Sequence, residues 1–219
     1  FTAGRDLEEA IRGRVENRPL PFIVGMPDVL PKLICHRLLK PAFEIDVPLH
    51  LICHEGRHDE LLTDLAAHRL DLVLSDSPAS PTLSFRTFNH TLSECGLTFF
   101  AHYDLAEKYV NGFPRSLDNA PMLLPTSRTS LRRDLEQWFY TEGLCPRIIA
   151  EFQDSGLMKV FGQDGMGIFP APTVIEAEVS RQYDVRIVGR IDAVRARYFA
   201  ISVERKLRHP AVVAVSQIA

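Results

Sequence analysis

Short apolar runs alternate with amphipathic stretches along this chain, and the alternation predicts strands and helices in turn. PFIVGM (21–26) is a continuous apolar run, the pattern of a strand buried on both faces. After it, Asp28 offers a helix cap, Pro31 suits a first helical turn, and Leu30, Leu33, Ile34 and Leu38 recur at helical spacing. A helix is therefore expected over 28–40, stopping before Pro41. PLHLICHE (48–55) predicts a second strand and DLVLSDSP (71–78) a third. Between them, 57–69 predicts a helix with Leu61, Leu62, Leu65 and Ala66 facing inward. Strands and helices in this order, with short connections, argue for a parallel sheet.

The rhythm breaks over 83–103, where extended segments surround Glu94-Cys95-Gly96, and a crossing into a second lobe is expected there. It resumes with a strand over 121–125, a polar turn over 126–129 and a helix over 130–141. Leu131, Leu135, Trp138 and Phe139 form the buried face of that helix, and Gly143 ends it. IIAEFQDSGLMKVFGQDGMGIFPAPT (148–173) then predicts strand, helix and strand. Asp154-Ser155 supplies the cap, while Leu157, Met158, Val160 and Phe161 predict the buried face. Gly162 and Gly165 predict the stop. A short helix follows over 174–179, Val185, Ile187 and Ile191 mark an extended segment, and Phe199, Ile201 and Val203 alternate along 197–204. There the chain is expected to cross back, before a last helix from Pro210. The reading is α/β: two Rossmann-like lobes joined by two crossover segments, with a ligand cleft between them.

Composition narrows the function classes. The chain is 46% hydrophobic and 24% charged, ordinary for a globular protein. Its 25 basic and 28 acidic side chains leave a net charge of -3, which gives no electrostatic footprint for nucleic acid over this portion. No apolar run is long enough for a membrane span. The opening FTAGRDLEEAIRGR is charged and lacks the apolar core of a secretory signal. Cys35, Cys53, Cys95 and Cys145 are widely spaced and form no C-x-x-C, so buried reduced thiols of a cytosolic protein are expected. There is no G-x-S-x-G, no glycine-rich phosphate loop and no H-E-x-x-H, so neither an enzyme nor a cofactor is expected.

In open α/β sheets, ligands lie beyond the carboxyl ends of the strands. In the first lobe those positions are Pro27, Asp28, Glu55, Ser75 and Asp76; in the second they are Thr126, Ser127, Arg128, Asp154, Phe169 and Pro170. Asp28, Ser127 and Asp154 have helix capping as a rival role. Arg128 is the leading anion contact, because a guanidinium can hold a carboxylate in two parallel hydrogen bonds; an ordinary surface arginine is the rival. Asp28, Glu55 and Asp76 have the chemistry for a hard cation, but they are scattered rather than spaced as a motif. His50 and His54 share one face of their strand and Cys53 the other, which splits a metal set, so no metal is expected. His54 and His58 remain candidates for proton sensing.

The order of elements resembles the effector-binding domain of LysR-type transcriptional regulators, over nearly the whole chain. HLICHEGRHDELLTDLAAHRLDLVLSD, SECGLTFF, AEFQDSGLMKVFG followed by IFPAPT, and ERKLRHPAV are similar to the NhaR-like branch, activators of sodium/proton antiporter genes. The resemblance implies a fold like the type II periplasmic binding proteins. Lobe one would take 19–94 plus 195–219 and lobe two 95–194, with 1–18 as the end of a linker helix. It implies a cytoplasmic homodimer or tetramer that meets DNA through a winged helix-turn-helix absent from this chain, and no membrane. It also implies a small-molecule or ion effector, touching the turn after the first strand, the ends of the next two, and the facing turns of lobe two. The dimer is expected to use the helix over 28–40, where Cys35, His36 and Leu39 exceed one buried face. A solute-binding protein for import shares the bilobal architecture and is the alternative; an enzyme with a cleft active site is a third class that no motif supports.

Overall fold

The computed structural model describes residues 19–81, 83, 85–127, 129–203 and 209–216. The expected linker helix over 1–18 and the anion contact Arg128 lie outside the described residues.

Lobe one is built on β1 (Leu20–Pro27), which pairs in parallel with β2 (Leu49–Gly56) on one side and β3 (Leu72–Ser75) on the other. The alternating run Phe22, Val24 and Met26 sends its side chains into the main core. The connections are α1 (Lys32–Leu39) and α2 (His58–Ala66). Leu61, Leu62 and Leu65 of α2 bury themselves with Leu70, Val73 and Ile201 in a smaller core on the opposite face. The sheet continues into β8 (Arg186–Ser202), β4 (Phe88–Ala101) and β7 (Phe169–Pro172), giving the order β2-β1-β3-β8-β4-β7. β4 and β8 pair antiparallel along almost their full length and run from one lobe into the other, so they are the two crossings. The lobe limits read from sequence fall inside these strands.

Lobe two adds the parallel pair β5 (Pro121–Pro125) and β6 (Arg147–Phe152), with Met122 of β5 bridging to Ile168 beside β7. Its helices are α3 (Tyr103–Tyr109), α4 (Ser130–Glu142), α5 (Ser155–Gln163) and α6 (Glu176–Tyr183). The closing α7 (Pro210–Ser216) returns to lobe one, where it packs beside the 3-10 turn Lys40–Glu44. The register of β4 on β8 shifts between Cys95 and Leu97. Gly96 stands at that irregularity, and a Cβ there would lie 2.6 Å from the Ile191 carbonyl oxygen. Such irregularities bend strands, and this one sits where the chain passes between lobes.

Several expectations are corrected. The first helix begins at Lys32, with Pro31 at its cap position and no side-chain cap; Asp28 lies in the turn before it. Proline disfavours helical backbone in the residue before it, so Leu30 cannot extend the helix backwards. Cys35 and Leu39 are each only 5% exposed, so the intrachain core accounts for them, and only His36 of that trio faces solvent. On α5 the buried residues are Met158, Lys159 and Gly162, whereas Leu157 and Val160 are 49% and 44% exposed. The run LMKVF supplies apolar residues to both sides of the helix, and packing chose the other one. Gly162 lies within α5 against Phe169 rather than ending it; the positive φ of +77° belongs to Gly165. Cys53, on the outer strand β2, and Cys145 are exposed rather than buried. α3 has no counterpart among the expected elements, and 83–103 and 185–204 each contain one long strand in place of the expected separate segments. Among the described residues, no helix is long and apolar enough to cross a membrane.

Candidate functional site

The carboxyl ends of β1 and β3 face the starts of α4 and α5 across a cleft. A cavity of about 270 Å³ occupies its inner part, and a second void of about 470 Å³ its mouth. The crossing strand β8 supplies the inner floor through Ala196, Tyr198 and Phe199. Lobe one contributes Val29, Pro31, Asp76, Ser77 and Pro78. Lobe two contributes Pro125, Ser130, Leu131, Phe152, Met158 and Lys159, together with Pro170, Ala171 and Pro172 of β7. Pro170 and Pro172 donate no backbone hydrogen bond; β7 ends the six-stranded sheet, where proline is tolerated, and its prolines form a stiff apolar wall.

The residues chosen from strand ends divide into three groups. Pro27, Asp28 and Thr126 line the mouth, Pro170 lines the inner cavity, and Asp76 lines both. Ser75 is buried behind the wall, its Oγ 3.1 Å from His58 Nδ1 and accepting the Ser77 N–H at 3.2 Å. Glu55 forms a surface ion pair with Lys32, and Ser127 is exposed; neither lines the cleft. Asp154 caps α5 by accepting the Gly156 N–H at 2.7 Å. Phe169 is fully buried and stacks on Phe100 with ring centres 5.6 Å apart, so it supports the wall from behind. His50 and His54 are exposed on β2, whereas His58 reaches the mouth. Among the described residues, no group of three His, Cys, Asp or Glu is placed to hold a metal.

Asp76 also joins the lobes. The Ser130 hydroxyl, on the first residue of α4, donates to its carboxylate at 3.3 Å. Burial pushes the Asp76 carboxyl above its ordinary range, while the Ser130 hydrogen bond and the nearby His58 pull it back. The position of α4 is itself fixed. Thr129 caps it by accepting the Arg132 N–H at 3.1 Å. The buried Arg132 guanidinium donates to the Pro125 carbonyl at 2.8 Å and pairs with Glu136 at 2.7 Å and Glu151 at 2.8 Å. That side chain ties α4 to β5 and β6, and with them two walls of the cavity.

The opposite wall holds a buried cation. Lys159 is 3% exposed, and its Nζ donates to the Ser155 carbonyl at 3.1 Å and the Ser155 hydroxyl at 3.4 Å. Its Nζ also sits 5.9 Å from the centre of the Tyr183 ring. Burial pulls its pKa from 10.5 down to about 8, and the neighbouring Asp154 carboxylate works against that fall. Among the described residues, three other cations line the inner cavity: Arg195 and Arg197 are both held by Glu94, at 3.0 and 3.2 Å, and Arg133 of α4 is exposed. The inner chamber is thus largely apolar, with the buried Lys159 on one wall and Asp76 on the other, and Arg133, Asp134, Arg195 and Arg197 also line it.

Residues 24–219 match the family described as the LysR substrate binding domain. The chain belongs to the LysR family. The transcriptional activator protein NhaR of Escherichia coli K12 is 36% identical over 212 residues, which cover 97% of this chain and 69% of that protein. Among solved structures, CbnR, a LysR family transcriptional regulator, superposes with a TM-score of 0.73 at 19% identity, over 99% of this chain and 76% of that one. The effector-binding domain of QuiR, in complex with shikimate, superposes at 0.68 with 13% identity, over 92% of this chain and 95% of that one. The fold is the two-lobed, type II periplasmic-binding-like fold of LysR regulatory domains, and this chain is the effector-binding domain of a transcriptional regulator, not a solute-binding protein for transport.

In this LysR domain the sequence reading missed Ser130, Arg133, Met158, Lys159 and Tyr198 among the cleft residues. The strand-end rule cannot reach them, because they sit on helices and on the crossing strand. Met158 and Gly162 are one helical turn apart, and that spacing beside the apolar IFPAP strand was the available signal for the buried side of α5.

Proposed function

We propose that this LysR domain senses a small molecule or ion for a cytoplasmic, non-enzymatic activator of sodium/proton antiporter genes. The observation that carries this is the 36% identity with NhaR, spread over 97% of the chain. The mechanism is linkage: an effector that binds one lobe arrangement better shifts the population toward it. Contacts across the lobes are the elements it would bias. Asp76 with Ser130 is one; Arg37 of α1, which reaches the Val174 carbonyl and lies 3.4 Å from Glu178, is another. The proposed effector set keeps Pro27, Asp28, Asp76, Thr126 and Pro170, together with Arg128, two positions after Thr126 in the sequence. The signal reaches DNA through an N-terminal domain outside this chain. Deleting the gene should abolish induction of antiporter transcripts after a sodium step. The wild-type gene should restore it, and a gene carrying Gln153→Trp, which crowds the cleft mouth, should not. Unchanged induction in the deletion strain would remove the antiporter assignment.

The protein acts as a homodimer in this proposal. Ile148 and Ile149 of β6 and Leu157 and Val160 of α5, two elements in contact, are all at least one-third exposed, and this reading gives them to the dimer interface. Sedimentation equilibrium should find a dimer, and Leu157→Glu with Val160→Glu should shift it toward monomer without lowering thermal stability. A wild-type monomer at high concentration would count against this face.

A further inference from the structure

We propose that the inner cavity binds a small organic anion, a carboxylate with an apolar body, whose charged end sits on Lys159. This deepens the reading of the cleft as the effector site and rests on it. An ammonium has three donors, and Lys159 directs two of them to neutral oxygens of Ser155, one turn back in its own helix. Among the described residues, no carboxylate lies within 4.0 Å of its Nζ. A buried cation with no carboxylate in direct contact is unfavourable, and the neighbouring Asp154 carboxylate offsets that only in part. A carboxylate entering the cavity supplies the missing charge as a charge-assisted hydrogen bond.

The rest of the chamber selects the body of the ligand. Pro125, Phe152, Met158, Pro170, Ala196 and Phe199 offer apolar surface, and a volume of about 270 Å³ admits only a small molecule. Asp76 on the facing wall already accepts the Ser130 hydroxyl, and with Asp134, which also lines the cavity, it disfavours a second negative charge on the ligand. The expected ligand is therefore a monoanion. A neutral ligand would leave the ammonium with no charged group in direct contact, and a cation would meet it with repulsion.

Titration calorimetry of the chain with benzoate, benzamide and benzylamine tests the charge at nearly constant shape. Benzoate should bind roughly ten-fold or more tightly than the other two, the effect of one charged hydrogen bond. Lys159→Met should erase that preference, Lys159→Arg should retain part of it, and Gln153→Trp should weaken benzoate binding. A melting temperature for Lys159→Met no lower than wild type would show that the variant is folded. Benzamide binding as tightly as benzoate, unaffected by Lys159→Met yet weakened by Gln153→Trp, would overturn the anion assignment and leave the cleft as the effector site. Benzoate binding indifferent to both substitutions would overturn both readings. Binding by none of the three probes at millimolar concentration would overturn the apolar-anion class.

Discussion

Replacing Lys159 with methionine should stabilise the protein by about 3 kcal/mol at about pH 7. The lysine is 3% exposed, and burial draws its pKa from 10.5 to about 8. Each unit of such a difference corresponds to about 1.4 kcal/mol between the folded and unfolded chains. Because the folded value lies below the unfolded one, the unfolded chain holds the proton more tightly. The destabilisation is therefore complete below about 8, where lysine is charged in both states, and fades as pH rises toward 10.5. Methionine has a similar length, fits an apolar wall and carries no charge. Its advantage should be largest near neutrality and vanish toward the top of that window.

Other groups titrate in the same range, and they act in the opposite direction. Burial pushes the Cys35 thiol from 9.0 up to about 12, so unfolding releases its proton more readily above the lower value and the fold weakens there. Both proteins share that loss, so the difference between their urea denaturation curves isolates Lys159. A variant that is less stable than wild type at neutral pH would show that the ammonium holds the fold together. A gain in stability joined to a loss of anion binding is the signature of a residue kept for function at a cost in stability.

The sequence made the scaffold legible and much of the site illegible, for separable reasons. β5 was read with the limits it has, and Asp154 was read as the cap it is, because turn and cap chemistry is local. β1 and β2 are legible from runs that match them within one residue at each end, whereas β3 covers only part of 71–78 and the two helices are shorter than 28–40 and 57–69. The first crossing shows as a loss of rhythm over 83–103 and the second as an alternation along 197–204, but β4 and β8 are too long and irregular for a period-two pattern to mark them as single strands. The face of α5 failed because Leu157, Met158, Val160 and Phe161 point several ways around the helix. A buried Lys159 contradicts the usual exposure of lysine, so nothing local would have moved it inward. Its burial comes from how α5 packs against the rest of lobe two, which is tertiary rather than local.

Gly162→Ala should destabilise the protein by about 2 kcal/mol, although alanine is the better helix former. Alanine within a helix is favoured over glycine by about 1 kcal/mol. A Cβ at this position, however, would stand 2.1 Å from Cδ1 and 2.3 Å from Cε1 of Phe169. That ring is fully buried, stacked on Phe100, and attached to the strand that carries Pro170. It has no flexible end to swing away, so either α5 or β7 must move. Overpacking of this kind costs about 1–3 kcal/mol, and occasionally more, in a close-packed core. A site near the upper end remains destabilised after the helix gain is subtracted. The same displacement would spread the cavity between Lys159 and Pro170, so ligand affinity should fall together with stability. Phe169→Leu shortens the ring that causes the clash, and it separates this cause from a general intolerance of α5. The cost of the double variant should be clearly smaller than the sum of the two single costs. Strictly additive costs in urea denaturation would mean that the ring and the glycine do not interact, and that the close contact between α5 and β7 does not set the wall of the cleft.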